Sequence, residues 1–295
     1  MPVIGDCAKV LEALIAALKA RRFAPDHAAL GKWWKQIELW RGRNCLAYRN
    51  SDKVIKPQYA LQRLEALTRH YDRYIEAYDK IIKPQYAIDR LHALTRDRDT
   101  YITTEVGQHQ MWAAQLFKFE KPFRWMTSGG LGTMGYGLPA AVGVQLAHPN
   151  SLVIDIAGEA SVLMTMQEMS TAVQHDLPIK IFVINNQYMG MVRQWQELLH
   201  GGRYAHSYTE ALPDFVKLAE AYHAVGIRCE QPGDLDGAIR EMIGVKKPVI
   251  FDCVVDPNEN CFPMIPSGRA HNEMLLGDAT VSIEDAITEE GKVMV

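Results

Sequence analysis

The chain has 295 residues, which is enough for one large α/β domain or for one domain and part of a second. Its formal net charge of −3 gives no reason to expect a nucleic acid or an acidic membrane as a partner. The five cysteines are scattered and form no C-x-x-C pair, which favours a reduced, cytoplasmic protein and argues against a zinc site. No apolar run approaches the roughly 20 residues that span a bilayer, and the charged N-terminus is a poor signal peptide.

The first 52 residues predict a helical extension before the main domain. Residues 3–5 are typical of a short strand, and residues 8–19 of an amphipathic helix with Leu11, Leu14 and Leu18 on one face. Residues 42–52 are polar and predict a linker.

An internal repeat follows this extension. Residues 55–75 and 82–102 align at an offset of 27, and 15 of the 21 pairs are identical. Each copy has a proline near a helix start and apolar residues at helical spacing, but two copies are too few for a solenoid. The second copy runs directly into the next predicted strand. We therefore expect it to belong to the main domain, and residues 53–79 to form a duplicated helical unit on the surface.

Glycine-rich turns follow two short candidate strands, residues 101–106 and 125–127. Gly107-Gln108-His109 forms a turn into a helix, where a histidine could offer a donor and some positive charge to a phosphate. Residues 128–137 contain five glycines.

Part of this glycine-rich stretch also matches a dinucleotide-binding fingerprint, through Gly130, Gly132 and Gly135. A nicotinamide-binding Rossmann unit is therefore the main competing hypothesis. It is weakened because Asp155, the acid that it needs, lies inside a predicted strand, and because it leaves Asn185-Asn186 unexplained.

Residues 152–191 contain two predicted strands and the polar residues of a predicted ligand site. Residues 152–157 are an apolar run broken only by Asp155, as expected of a parallel strand that is covered on both faces, and residues 179–184 predict the second strand. Glu159 follows the first strand and Asn186 follows the second. Ligands bind beyond the carboxyl ends of such strands. A carboxylate, an amide oxygen and the start of a helix there predict a site for a hard divalent cation and a diphosphate.

The remaining elements complete an α/β pattern. Residues 212–224 and 234–243 predict helices, and residues 226–229 and 248–254 predict buried strands. The predicted fold is doubly wound, with a mainly parallel sheet of about six strands.

The motifs resemble those of one enzyme family. Gly158-Glu159-Ala160 followed by Asn185-Asn186 is similar to the thiamine-diphosphate signature, Gly-Asp-Gly or Gly-Asp-Ala followed by Asn-Asn. Four longer segments resemble the catalytic large subunit of acetohydroxyacid (acetolactate) synthase: SGGLGTMGYGLPAAVG, NNQYMGMVRQWQ, SYTEALPDFVKLAEAY and NCFPMIPSGRAHNEMLL. The likeness runs from Val3 to the C-terminus and matches the last half of that subunit. It implies a remnant of the central domain and linker (1–52), a thiamine-diphosphate-binding domain (80–256) and a C-terminal tail (257–295) that folds back near the site.

The resemblance also implies roles for individual residues. Gly107, Gln108 and His109 match the segment that contacts the cofactor diphosphate, and Met134 matches the apolar side chain that bends the cofactor. The implied cofactor-binding residues are Gly107, Gln108, His109, Gly132, Met134, Gly158, Ala160, Ser161 and Met191. The implied Mg²⁺ ligands are Glu159, Asn186 and the carbonyl of Tyr188, and the implied substrate residues are Met191, Val192 and Trp195. Arg193 is interpreted as a surface or interface charge.

One departure from the family affects the metal site. The family has Asp where this chain has Glu159, and the extra methylene displaces the carboxylate by about 1.5 Å, on the scale of a C–C bond. We expect weaker metal and cofactor binding.

The implied activity is a transferase reaction that depends on thiamine diphosphate and Mg²⁺. It condenses pyruvate with pyruvate or 2-oxobutyrate, with loss of CO₂, in branched-chain amino-acid synthesis. In the family the catalytic general acid/base, a glutamate, comes from a pyrimidine-binding domain that this sequence does not match, and FAD binds a central domain that is mostly absent. We expect no catalytic residue in this chain, and either homo-oligomers or pairing with a pyrimidine-domain chain, with a regulatory small subunit as a further partner. The alternative is a non-catalytic remnant that binds the cofactor weakly or dimerises.

Overall fold

The structure is a computed structural model that describes residues 80–266, 268–270, 273–275 and 277, together with residues 16, 28–29 and 31–35. The chain divides into two compact units, residues 1–65 and 66–295. In the first unit, the described residues are helical. The predicted strand at 3–5, the linker at 42–52, the duplicated unit at 53–79 and the end of the tail lie outside the described residues.

The second unit contains a six-stranded sheet in which every pair of neighbouring strands is parallel. The strands are β1 Thr100–Thr104, β2 Trp125–Thr127, β3 Leu152–Gly158, β4 Lys180–Asn185, β5 Val225–Cys229 and β6 Val249–Val254. Their order across the sheet is β2-β1-β3-β4-β6-β5. The central strands β3, β4 and β6 are almost entirely buried, as their mainly apolar sequences predict.

Helices connect these strands and cover the sheet. They are α1 Pro84–Thr95, α2 Gln108–Leu116, α3 Gly137–Ala147, α4 Glu159–Val162, α5 Glu168–Gln174, α6 Gly190–Leu199, α7 Phe215–Ala221 and α8 Leu235–Gly244, with a 3₁₀ turn at Pro232–Asp234 before α8. The second copy of the repeat forms α1 and runs into β1. In the part of the chain that the structure describes, no helix is long and apolar enough to cross a membrane.

Two separate apolar clusters lie on the two faces of the sheet. Helices α1, α2 and α8 contribute to one cluster, which contains Phe182 of β4 and Ile154 of β3. Helices α3, α5 and α7 contribute to the other, which contains the adjacent strand residues Ile181 and Val153. Neighbouring residues of a strand point to opposite faces, so each central strand supports both layers. The predicted doubly wound α/β fold is confirmed.

The connections place a switch point between β1 and β3. From β1 the chain moves outward to β2 at the edge of the sheet, and it then returns to β3 on the other side of β1. Doubly wound sheets bind ligands in the crevice beyond the strand ends at such a point. The loops after β1, β3 and β4 meet there because these three strands are neighbours.

Candidate functional site

Loops at the carboxyl ends of β1, β2, β3 and β4 enclose a pocket of about 140 Å³. It is lined by Val106, Gly107, Gln108, His109, Trp112, Gly132, Met134, Gly158, Glu159, Ala160, Ser161, Ile184, Asn186, Tyr188, Met189, Gly190, Met191 and Val192. The fold thus brings the predicted cofactor and metal residues, which span 85 positions of the chain (from 107 to 191), around one cavity. Trp195 does not line it, and its side chain is 48% exposed.

Glu159 lies at the pocket as the first residue of α4, directly after β3. Ser161 stabilises this turn, because its hydroxyl donates to the Gly158 carbonyl (3.1 Å) and accepts from the Gly158 amide (3.3 Å). Glu159 is 1% exposed, and its Oε1 has no hydrogen-bond partner in the part of the chain that the structure describes. Burial raises the pKa of the carboxyl to about 8, although nearby backbone amides favour the charged form. Among the described residues, this buried acid therefore has no cationic side chain as a partner.

His109 lies in the first turn of α2 and is also buried. None of the described residues forms a hydrogen bond with its Nε2. Burial lowers the pKa of the imidazole to about 3, so the ring is neutral at neutral pH. This differs from the positive charge expected from the sequence, and the reason is the loss of solvent around the ring. A neutral imidazole still offers a hydrogen bond to a ligand in the pocket.

Two glycines let the loops approach His109. A Cβ at Gly158 would lie 2.7 Å from His109 Nδ1, and a Cβ at Gly107 would lie 2.6 Å from His109 Cε1. Any side chain at either position would displace the imidazole from the loop that carries Glu159. The small residues predicted at these turns are therefore needed for packing as well as for access to a ligand.

Asn186 follows β4 and is 5% exposed. Its Nδ2 donates to Gln108 Oε1 (3.3 Å), and its Oδ1 accepts from the Tyr188 amide (3.1 Å). Between them Gln187 takes a positive φ of 61°, which turns the chain back toward the pocket.

The glycine-rich loop of residues 128–137 is anchored by a residue that sequence reasoning missed. Glu105, directly after β1, is fully buried and accepts from the amides of Gly135 (2.6 Å) and Leu138 (3.0 Å). Met134 therefore stands next to a fixed point of the loop. The position of Glu105, an acid two residues before Gly107, was the available signal.

Other details of the site correct or extend the sequence analysis. Arg193, interpreted as a surface charge, is 6% exposed and pairs with Glu197 (2.9 Å). Its guanidinium also donates to Asn260 Oδ1 (3.3 Å), so the start of the tail buries it. Gly190 and Gln194 were not singled out, although they lie between and beside predicted residues. Asp155 lies within β3, fully buried, where Thr103 donates to it, and this position does not fit the nicotinamide hypothesis.

Comparisons with known proteins agree with this geometry. Residues 105–253 match the family model for the thiamine pyrophosphate enzyme C-terminal TPP binding domain. The chain belongs to this thiamine pyrophosphate enzyme family.

Individual relatives show which members of this family the chain is similar to. The chain is 39% identical over 279 residues to the acetolactate synthase isozyme 3 large subunit of Escherichia coli, an alignment that covers 94% of the chain and 44% of that subunit. It is 45% identical over 276 residues to the acetolactate synthase large subunit of Cyanidium caldarium, covering 93% of the chain and 42% of the relative. The chain thus spans less than half the length of these relatives and is similar to a C-terminal half of them.

The residues present fit thiamine diphosphate and a divalent cation. In the described part of the chain, no group of three or more His, Cys, Asp or Glu side chains could hold a metal. Mg²⁺ does not need such a group, because proteins commonly hold it through one or two carboxylates together with ligand phosphates. Glu159 supplies one buried oxygen without a partner, and His109 supplies an unpartnered nitrogen. Buried polar atoms are usually paired, and three atoms of the pocket lining, Glu159 Oε1, His109 Nε2 and Trp112 Nε1, lack a partner among the described residues. The carboxylate oxygen favours a cation in the pocket, and the ring nitrogens favour an anionic ligand.

Proposed function

We propose that this chain is the cofactor-binding half of an acetolactate synthase-type transferase. The supporting observation is the buried Glu159 oxygen without a partner, in a pocket that Asn186 and Tyr188 also line. The relatives named above are acetolactate synthase large subunits, which supports condensation of pyruvate with pyruvate or 2-oxobutyrate, with loss of CO₂, as the reaction. That chemistry belongs to branched-chain amino-acid synthesis.

In this proposal each residue of the pocket has a binding or orienting task. Glu159, Asn186 and the carbonyl of Tyr188 would hold Mg²⁺. His109 Nε2 would donate to a diphosphate oxygen once the charge of the anion favours protonation of the ring. Met134 would support the bent cofactor, and Met191 and Val192 would form an apolar wall for a small 2-oxo acid. Thiamine diphosphate, when bound, supplies a thiazolium carbon that stabilises the carbanion left by loss of CO₂.

A second polypeptide or a second domain completes the proposed enzyme. The general acid/base glutamate of this chemistry is assigned to a pyrimidine-binding domain, which would face the pocket. We therefore expect acetolactate to form from pyruvate when that domain is co-expressed with this chain, and not from this chain alone. Cofactor binding without product in the co-expressed sample would instead support a non-catalytic, cofactor-binding remnant.

The binding step is tested by titration calorimetry. Thiamine diphosphate should bind in the presence of Mg²⁺ and lose its affinity when Mg²⁺ is replaced by a chelator. Glu159→Gln removes the charge of the proposed ligand, and we expect it to weaken Mg²⁺-dependent binding by more than about 100-fold, beyond the range found for residues that only support a ligand. The metal-free variant should unfold within about 1 kcal/mol of the parent, since Glu159 has no charged partner to lose. Equal affinity of both chains would reject Glu159 as a ligand.

A further inference from the structure

A continuous chain of buried amides lies behind the proposed metal ligand Asn186. Gln108 and Gln194 are 2% and 0% exposed, and neither side chain reaches solvent. Gln108 Nε2 donates to Gln194 Oε1 (2.7 Å) and to the carbonyl of Glu259 (3.1 Å). Gln108 Oε1 accepts from Asn186 Nδ2 (3.3 Å). Asn186 is thus linked to Gln194 through Gln108.

The far end of this chain is fixed by backbone groups. Gln194 Oε1 accepts from the Cys261 amide (2.7 Å), and Gln194 Nε2 donates to the Cys261 carbonyl (3.0 Å). A side-chain amide can turn over and exchange its oxygen and nitrogen, whereas a backbone N–H and carbonyl cannot. Cys261 therefore determines which way Gln194 points, and a reversed Gln194 would put like groups opposite each other.

The orientation of the Gln194 amide determines that of Gln108, and Gln108 in turn orients the Asn186 amide. Since Gln194 Oε1 faces Gln108, the group of Gln108 on that side must be its nitrogen. The Glu259 carbonyl, a second acceptor, requires the same orientation. Gln108 Oε1 then faces Asn186 and requires its nitrogen there. The Asn186 oxygen then lies on the other side, where it accepts from the Tyr188 amide (3.1 Å) and keeps a second lone pair for a cation.

Gly190 keeps this contact direct. A Cβ at Gly190 would lie 2.0 Å from Gln108 Oε1 and 2.9 Å from Asn186 Nδ2. The start of α6 therefore packs onto the two amides without room for a side chain. Gln108 also lines the pocket, but both ends of its amide are engaged, so the amide itself acts on the metal site through Asn186.

We propose that Gln194 is a positioning residue that, through Gln108, holds the Asn186 amide with its oxygen toward the cation beside Glu159. The inference rests on the proposed function and extends it, because it makes metal affinity depend on the segment around Cys261. Partners that orient a metal ligand typically contribute 10- to 100-fold in affinity.

The test compares two buried glutamines changed to methionine, a residue of similar length without an amide. Gln194→Met breaks the chain of amides. Gln145→Met is the matched control, because Gln145 is 1% exposed and donates to two backbone carbonyls, those of His148 (3.0 Å) and Ser151 (3.1 Å), just before β3. Calorimetry with saturating thiamine diphosphate gives the affinities for Mg²⁺ and Ca²⁺, and thermal unfolding of the metal-free chains gives the cost to the fold.

Mg²⁺ demands near-ideal octahedral geometry, whereas Ca²⁺ accepts irregular sites. We expect Gln194→Met to weaken Mg²⁺ binding by roughly 10- to 100-fold and Ca²⁺ binding by clearly less, so that the Mg²⁺/Ca²⁺ affinity ratio falls. Gln145→Met should lower the unfolding temperature without changing that ratio. If Gln194→Met does not fold, Gln108→Met breaks the same chain while it leaves the Cys261 contact intact, and the ratio should fall there too.

Two outcomes would overturn the inference alone: an unchanged ratio in the amide variant that folds, or an equal change in Gln145→Met. Failure of the unmodified chain to bind thiamine diphosphate with Mg²⁺ would instead overturn the proposed function, and the inference with it. The two failures are distinguished by the first titration.

Discussion

The neighbouring residues Asn185 and Asn186 each lie in a cluster around a buried acid. The two clusters differ in whether the acid has a cationic partner. Asn185 belongs to a closed cluster with Asp252 and Arg228, in which Asn185 Nδ2 donates to one Asp252 oxygen (2.9 Å) and Arg228 Nε to the other (2.9 Å). Asn186 belongs to an open cluster with Glu159 and His109, in which Glu159 Oε1 and His109 Nε2 have no partner. Both acids are buried, at 0% and 1% exposure.

The difference shows what a structural acid needs and what the open cluster lacks. A buried carboxylate is tolerated when a cation and hydrogen bonds replace its water. Asp252 has both within the chain. Glu159 has neighbouring amides but no cation, and burial raises its pKa to about 8. The open cluster is therefore the better candidate for an external cation, and the closed cluster is a stabilising contact between β5 and β6.

Removing the cation of the closed cluster gives the largest expected change in stability. Arg228→Met leaves Asp252 buried with one amide donor, and we expect the free energy of unfolding in urea to fall by about 2–3 kcal/mol. This lies just below the roughly 3–5 kcal/mol that is lost when a fully buried pair is broken, because the Arg228 side chain is 38% exposed.

Arg240→Met is the matched control for this experiment. Arg240 pairs with Asp236 at the surface (3.5 Å), where the loss of an ion pair should cost less than about 1 kcal/mol. If both variants lose the same small amount, a buried carboxylate does not need a cation in this fold. The interpretation of Glu159 as a cation site would then lose its physical basis.

Lys180 is a buried cation with backbone carbonyls as partners and with no acidic partner among the described residues. It is 1% exposed, and its Nζ donates to the carbonyls of Val245 (2.6 Å) and Lys247 (2.8 Å). Burial lowers its pKa from 10.5 to about 8. Between these values the unfolded chain keeps the proton and the folded chain does not, so stability gains as pH rises through this window.

Lys180→Met should remove that gain. We expect the difference in unfolding free energy between parent and variant to shift in favour of the parent by roughly 2 kcal/mol between about pH 8 and 10.5, and to stay constant below pH 8. Lys246→Met, which removes an exposed lysine, is the control for the change of charge. A difference that does not vary with pH would mean that the ammonium is solvated in the folded chain.

Much of the sheet and of the pocket could be predicted because their signals are local. The apolar runs at β3 and β4 and the polar residues that follow them lie within a few positions of each other. Parallel strands carry such residues to one edge, so Glu159 and Asn186 were expected together. The glycines at 107 and 158 could be read in the same way, from the close approach that a turn requires.

The remainder depends on contacts between distant segments. Arg193 is buried because Asn258 and Asn260, more than 60 positions later, fold against it. The proposed role of Gln194 likewise depends on its contacts with Cys261, and the residue pattern along α6 does not predict those contacts. The charge of His109 could not be predicted from the motif either, because it depends on how deeply the ring is buried.

Glu159→Asp gives the smallest expected effect and sharpens the description of the open cluster itself. The resemblance to acetolactate synthase implies Asp at this position. The extra methylene of Glu159 moves the carboxylate by about 1.5 Å, whereas catalytic and binding groups usually tolerate about 0.5 Å. We expect the aspartate variant to bind Mg²⁺ and thiamine diphosphate about tenfold more tightly, equal to 1.4 kcal/mol.

The control is Glu168→Asp, the same change at an acid in the first turn of α5. It should leave the affinity unaltered, since Glu168 does not line the pocket. Equal or weaker binding by Glu159→Asp would mean that the turn after β3 has adapted to the longer side chain. In that case the unpartnered Oε1 already stands where the cation binds, and the departure from the family is compensated by the backbone.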